Sequence, residues 1–301
     1  MNLKLGINTG FALNRFPLPE EWMKIVGEDL GLRYVQLTAD LINPSFGDEI
    51  VADYIQKINV LSKRYNIKID SIMTGAFTRV NHLSHPDPQV RLYWLNWLKK
   101  LIDIGVALGA TNMSSHLGIL SYYDVRNPER KQEVLQQTVD AWKELAVYAK
   151  EKGMEYLSWE PMSVKREYGE TIEEAKKIHL MLEGSAIPIK ICLDVEHGDV
   201  SSPNPDDTNP YVWLREFAAY SPLIHLKQSL KGGKGQATFI PEYNLDGRIE
   251  PQKIVETLEK SGCQEALLLF ELSFKEREPF DSRILHDLKV SVEYWRKSIK
   301  D

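Results

Sequence analysis

The sequence predicts a single (β/α)8 barrel, a TIM barrel of class α/β, and three observations carry that prediction. Short apolar, β-branched runs alternate with longer amphipathic stretches eight times along 301 residues, which is the unit count of this fold. No linker, composition break or low-complexity segment interrupts the alternation, so residues 1–301 are expected to form one domain. The stretch after the first apolar run, "GINTGFALNR", matches G-x-G-x-x-G poorly, which argues against a doubly wound open sheet.

The units follow in order. A strand is expected over 3–9 and a helix over 18–31, then a strand over 33–39 and a helix over 48–65. In that second helix Ile50, Tyr54, Ile58 and Leu61 keep helical spacing. The third unit pairs 68–76 with 88–109, where Trp94, Trp97, Leu98 and Leu101 fall at i, i+3, i+4 and i+7. That spacing reads as a buried helix face or a subunit contact, not as a platform for stacking bases. The remaining strands are expected at 110–116, 155–161, 189–195, 223–229 and 266–274. Their helices are expected at 128–153, 169–184, 210–220, 248–262 and 282–297. Gly109, Gly153, Gly184 and Gly262 stand where left-handed helix caps belong.

Bulk composition narrows the function. Apolar residues make up 43% and charged residues 27%, as in a soluble protein with a substantial core. A net charge of −6 disfavours a nucleic-acid partner, which calls for a basic excess against phosphates. No run approaches about 18 apolar residues, so no membrane-spanning helix is expected. "MNLKLGINTG" lacks the pattern of a secretory signal. Cys192 and Cys263 lie in or beside apolar segments, and a reduced, cytoplasmic protein is the simplest expectation.

Active sites of such barrels sit at the C-terminal ends of the strands. The fifth strand ends "SWEP" with Glu160, and the sixth ends "LDVEH" with Asp194 and His197. The seventh carries His225 and Lys227, and the eighth ends "LFEL" with Glu271. A charged group embedded in an apolar strand is expensive unless it is paired or metal-bound. Glu160, Asp194, His225 and Glu271 offer three oxygens and one nitrogen without thiolate. Such a set selects one Mn2+, Mg2+ or Co2+ ion, or Zn2+, over copper or an iron–sulfur cluster.

On these residues the chain resembles the xylose-isomerase-like superfamily, in particular its sugar and sugar-phosphate isomerases and epimerases. That group includes ketose 3-epimerases and ketotetrose-phosphate epimerases, and the likeness runs over essentially the whole chain. The resemblance implies that Glu160, Asp194, His225 and Glu271 are the metal ligands and that His197 touches substrate. It also implies the reaction: proton abstraction beside the ketone, an enediolate stabilised by the metal, and reprotonation on the opposite face. Epimerisation needs two acid/base groups flanking one carbon, and Glu160 and Glu271 are expected to be that pair. An aldose–ketose isomerase, returning the proton on one face, would not need both.

Several residues bear on the substrate. "KQSLKGGKGQ" clusters Lys227, Lys231 and Lys234 around Gly232, Gly233 and Gly235. Loops after strands seven and eight often hold phosphate in barrels, with glycine backbone N–H groups and lysine charge doing the binding. Lys231, Gly232, Gly233 and Lys234 are therefore candidate phosphate contacts; a flexible basic surface loop is the alternative. Arg79, in "TGAFTRVNHLSHPDPQVR", could meet a phosphate or hydroxyl, or pair with a carboxylate. That segment resembles the substrate-side loop of erythrulose phosphate epimerases and their relatives. His116 in "SSHLG" is either a substrate contact or a core histidine. His82 and His85 read as loop residues, and His179 and His286 as structural residues on helices. The polar stretch 201–210 could close over the site or simply connect.

The expected partner is a small sugar or sugar phosphate, with no nucleic acid or membrane, in a chain that could assemble as a dimer or tetramer. A keto-inositol dehydratase would use the same metal site and stands as the alternative. Abasic-site endonucleases of the superfamily fit poorly, with Ala76 near their extra His and "FIPEYNLDG" where their D-x-H pair belongs. A barrel that only binds sugar would not need four metal ligands.

Overall fold

The structure, a computed structural model, describes residues 1–230, 237–274, 276 and 281–299. Eight parallel strands close in sequence order, β1 to β8, with β8 returning to β1. They are β1 (Asn2–Asn8), β2 (Tyr34–Thr38), β3 (Lys68–Met73) and β4 (Asn112–His116). The second half adds β5 (Tyr156–Glu160), β6 (Ile189–Asp194), β7 (Leu223–Leu226) and β8 (Glu265–Phe270). Closure is extensive, with Asn2 paired to Glu265 and the register held through Ile7 and Phe270.

The principal helices are α1 (Pro19–Lys24), α2 (Asp48–Tyr65), α3 (Pro88–Ala107), α4 (Tyr122–Arg126) and α5 (Pro128–Lys152). They continue with α6 (Ile172–Leu182), α7 (Pro210–Phe217), α8 (Pro241–Asn244), α9 (Pro251–Lys260) and α10 (Ile284–Arg296). Local chemistry places their ends. Asp87 caps α3 by accepting the Gln89 N–H, and Asn127 caps α5 by accepting those of Glu129 and Arg130. Proline occupies the first turn in both, where its missing N–H costs nothing. The four expected glycine caps all have positive φ, between 71° and 89°.

Helices and barrel meet over a layer of large side chains, with Trp22, Trp142, Trp159, Trp213 and Trp295 fully buried. Trp97, Leu98 and Leu101 are buried on α3 as their spacing predicts, and Trp94 is partly covered. No helix among the described residues is long and apolar enough to cross a membrane.

The expected boundaries are corrected at several points. The first helix does not run through 18–31: it widens into a π-turn at Ile25–Asp29. The seventh strand ends at Leu226, beyond which Gln228 and Leu230 make only isolated bridges to Ala237 and Gly247. Ile50, counted in the apolar spacing of α2, is half exposed in its first turn, whereas Ile58 and Leu61 are buried. His82, expected as a loop residue, sits in a short 3-10 turn (His82–Ser84), 1% exposed and at φ 29°.

Candidate active site and metal centre

Register delivers the ligating groups to one end of the barrel. Asp194 lies opposite His225 across β6 and β7, and His116 opposite Glu160 across β4 and β5. Glu271 follows the last residue of β8. One ligand atom from each of Glu160, Asp194, His225 and Glu271 falls within 4.8 Å of all the others. His225 Nδ1 is 3.1 Å from Glu160 Oε1 and 3.4 Å from Glu271 Oε2. Its other nitrogen, Nε2, is 2.7 Å from Gln36 Oε1.

Two cationic groups balance these carboxylates. Lys227 is buried, its Nζ 2.6 Å from Asp194 Oδ2 and 2.5 Å from Glu271 Oε2. Burial alone would lower the Lys227 pKa, but Asp194 and Glu271 outweigh it and hold the ammonium charged well above its ordinary range. The same contest at His225 ends the same way: burial lowers its pKa, while Cys192, Glu271 and Glu160 drive it well above the usual histidine value. For Glu271 burial acts to raise the pKa, yet Lys227 and His225 hold it well below the carboxylate range. Glu271 is thus held ionised.

Glu160, Lys227 and Glu271 line a cavity of about 360 Å³ that also includes Asn8, Asp40, Thr74, Arg79, His116 and His197, with Asp194 and His225 buried behind them. His197 donates Nδ1–H to the Pro161 carbonyl (2.8 Å) and sets Nε2 3.4 Å from Asp194 Oδ2. The chain then turns at Gly198, with φ 132°. A Cβ there would fall 1.7 Å from the Asp207 carbonyl oxygen, so only glycine lets segment 199–208 fold back after His197. That segment is tied down rather than free, because Asp207 accepts from the Ile172 N–H and the Ser202 hydroxyl.

Arg79 reaches the cavity wall and is also paired, Nε and Nη2 lying 3.0 and 2.6 Å from the two oxygens of buried Glu167. Of the two alternatives set out from the sequence, the carboxylate pairing is the one the structure contains. His116 donates Nε2–H to the Val80 carbonyl (3.2 Å), and its ring centroid is 4.1 Å from that of His82. Burial lowers the pKa of both rings, so they are neutral. His179 and His286 belong to α6 and α10, away from this cavity. Lys231, Gly232, Gly233 and Lys234 lie outside the described residues.

Sequence reasoning missed Asn8, Gln36, Asp40 and Glu167. Gln36 left a signal, a polar residue in the otherwise apolar strand "YVQLT". Asp40 holds the loop that carries Arg79 by accepting the Ala76 and Phe77 N–H groups, at 2.8 and 3.2 Å. A second depression, of about 510 Å³, opens at the opposite end of the barrel. Its charges largely neutralise one another, as in Lys4–Glu265 and Lys68–Asp70, and it has no ligand cluster among the described residues.

The donor set fits a divalent cation. Three carboxylates and an imidazole converge from four neighbouring strands on one buried point, and the oxygen-rich set suits Mg2+, Mn2+ or Co2+.

Comparison with known proteins agrees with the architecture. The sequence profile of the xylose isomerase-like TIM barrel family matches residues 26–294. D-erythrulose 1-phosphate 3-epimerase of Brucella abortus (strain 2308) is 38% identical over 301 residues, covering 99% of this chain and 97% of that protein. A Rhodospirillum rubrum protein provisionally named a xylose isomerase superposes with a TM-score of 0.90 at 25% identity, over 99% of this chain and 100% of its own. The D-psicose 3-epimerase of Clostridium cellulolyticum H10, solved with D-tagatose, superposes at 0.72 with 15% identity, over 99% and 100% of the two chains.

Proposed function

The chain belongs to the xylose isomerase-like TIM barrel family, and on that premise we propose that it is a divalent-metal-dependent 3-epimerase of a short ketose phosphate. It is an enzyme of the isomerase class; the substrate to test first is D-erythrulose 1-phosphate, on which the Brucella relative is named to act. The observation that carries this reading is the convergence of Glu160, Asp194, His225 and Glu271 on one point, with Glu160 and Glu271 opening into the cavity.

In the proposed reaction C3–H of the ketose breaks, its proton passing to one carboxylate and its electron pair flowing into the C2 carbonyl. The second carboxylate, protonated, returns a proton to the opposite face of C3, and the carbonyl re-forms. Glu160 and Glu271 fill these roles, since they approach from β5 and from the end of β8 and both open into the cavity. Glu271, held ionised beside Lys227, is assigned the role of base. Glu160, Asp194, His225 and Glu271 would hold the cation. When bound, it supplies Lewis acidity that steadies negative charge growing on the carbonyl oxygen. His197 and His116, both lining the cavity, would hold substrate hydroxyls. Lys227, between two carboxylates, would add positive charge beside the carbonyl.

Arg79 is the proposed phosphate contact. Glu167 engages its Nε and Nη2, which orients the guanidinium and leaves Nη1 for the ligand. Lys231, Gly232, Gly233 and Lys234 remain proposed as further phosphate contacts on sequence grounds.

The test is to strip the protein with a chelator, restore Mn2+, Mg2+ or Co2+, and follow ketose phosphates and free ketoses in D2O by NMR. Deuterium at C3 with inversion, only when metal is restored, is the expected result. Full activity after stripping, or no deuterium at C3, would sink the reading. Loss of water from a keto-inositol instead would establish the dehydratase alternative.

A further inference from the structure

A backbone amide can only donate a hydrogen bond, and from one such amide the orientation of three side chains follows. The Gly10 N–H lies 2.8 Å from Asn8 Oδ1, so that atom is the carbonyl oxygen of Asn8 and the other is its NH2. The NH2 lies 2.7 Å from Gln36 Oε1 and 3.8 Å from Met73 Sδ, two acceptors for two hydrogens. The Gln36 atom must therefore be oxygen, because a turned-over amide would set NH2 against NH2. That same oxygen is 2.7 Å from His225 Nε2, so Nε2 must carry a hydrogen.

Cys192 Sγ, 3.3 Å from the same nitrogen, fits as a weaker second acceptor. Nδ1 is left on the other edge of the ring, facing Glu160 and Glu271. All of this is enclosed: Gln36 and His225 are 0% exposed and Asn8 2%.

We propose that Asn8 and Gln36 are positioning residues for the metal ligand His225. The chain Gly10–Asn8–Gln36 locks the hydrogen on Nε2 and pins the ring, so that Nδ1 is the nitrogen presented to the cation. Partners that orient a ligating histidine are worth tenfold to a hundredfold in metal affinity as a rule. The device sits on β1 and β2, whereas every metal-ligating side chain comes from β5 to β8. The inference rests on the metal reading of the site, and the experiment separates the two.

Mn2+ affinity is measured by competition with a fluorescent chelator, for the unsubstituted protein, Gln36→Leu and Gln36→Glu, with thermal melts alongside. Long-range 15N NMR of the Mg2+-loaded, histidine-labelled protein reports which His225 nitrogen bears the hydrogen. Gln36→Leu should bind Mn2+ about 10–100-fold more weakly, and Gln36→Glu, which keeps an acceptor, should stay within about threefold of the original. The spectrum should show hydrogen on Nε2. A folded Gln36→Leu with undiminished affinity overturns the proposal, as does a bare Nε2 in the spectrum. If Gln36→Leu does not fold, the spectrum of the unsubstituted protein decides. No Mn2+ binding by the unsubstituted protein overturns the metal reading and this inference together.

Discussion

The two halves of the barrel share one architecture and put different chemistry at its mouth. Strands β5 to β8 contribute Glu160, Asp194, His225, Lys227 and Glu271, charged groups whose burial is tolerable only because they face one another. From β1 to β4 and the loops after them come mostly neutral groups: Asn8, Gln36, Thr38, Thr74 and His116, with Arg79 paired to Glu167. One half can hold a cation and move protons. The other can orient those charged groups and, through Arg79 and His116, reach into the cavity. On the proposed reading every proton-moving and metal-holding residue falls in β5 to β8, whereas Arg79 meets the phosphate from the other half, so substitutions in the two halves should fail differently.

The largest effect is expected in the second half. Glu160→Gln and Glu271→Gln should each lower kcat by about 10²–10⁴-fold, the range for loss of a general acid or base. Deuterium uptake at C3 should fall in parallel, read by NMR. Arg79→Met, in the first half, should instead raise KM for a ketose phosphate by about 10–100-fold, as for a lost charged hydrogen bond. It should leave the free ketose nearly unaffected. A fall in kcat as large as that of Glu271→Gln would break the distinction between the halves.

Two smaller effects concern the frame on either side. Gly198→Ala forces an L-residue to φ 132° and a Cβ against the Asp207 carbonyl. It should cost at least about 1–3 kcal/mol of stability, read by chemical denaturation. His82 adds a pH dependence from the first half. Its folded pKa is depressed by burial and by neighbouring His116, so below the ordinary value of 6.5 the unfolded chain binds a proton that the folded chain refuses. Stability is therefore fully present above that value and is lost as pH falls toward the lowered one. His82→Asn, which keeps a residue tolerant of positive φ, should flatten the loss by up to about 1.4 kcal/mol per pH unit. Urea melts between neutral and mildly acid pH would test it.

How much was legible before the fold was known follows the same division. Glu160, Asp194, His225 and Glu271 stand out because each interrupts or ends an apolar strand, where a charge needs a reason. Asn8 and Gln36 carry no charge, and neutral amides inside strands have many ordinary explanations. Their significance lies in a contact between residues 36 and 225 that no local pattern encodes. Arg79 and Glu167 are 88 positions apart, so the pairing was readable as a class of outcome but not as a partner. His82 does lie in the connection between β3 and α3, but its burial against His116 and Trp94 was not legible in so polar a segment. The strand count came through intact, because periodicity is local. The end of β7 did not, since ladder pairing depends on a neighbour.

Closure of the barrel bears on when the site comes into being during synthesis. β1 is made before the other seven strands, yet its outer neighbour is β8, paired from Asn2 to Glu265. Glu271 follows that same last strand. Until β8 and Glu271 have been made, β1 has an open edge and the candidate ligand set lacks a member. Contacts of such sequence separation form late and slowly, and exposed edges in the interval invite misassembly. A nascent chain of this protein can therefore acquire its helices early, but its candidate metal site is complete only when β1 and β8 meet.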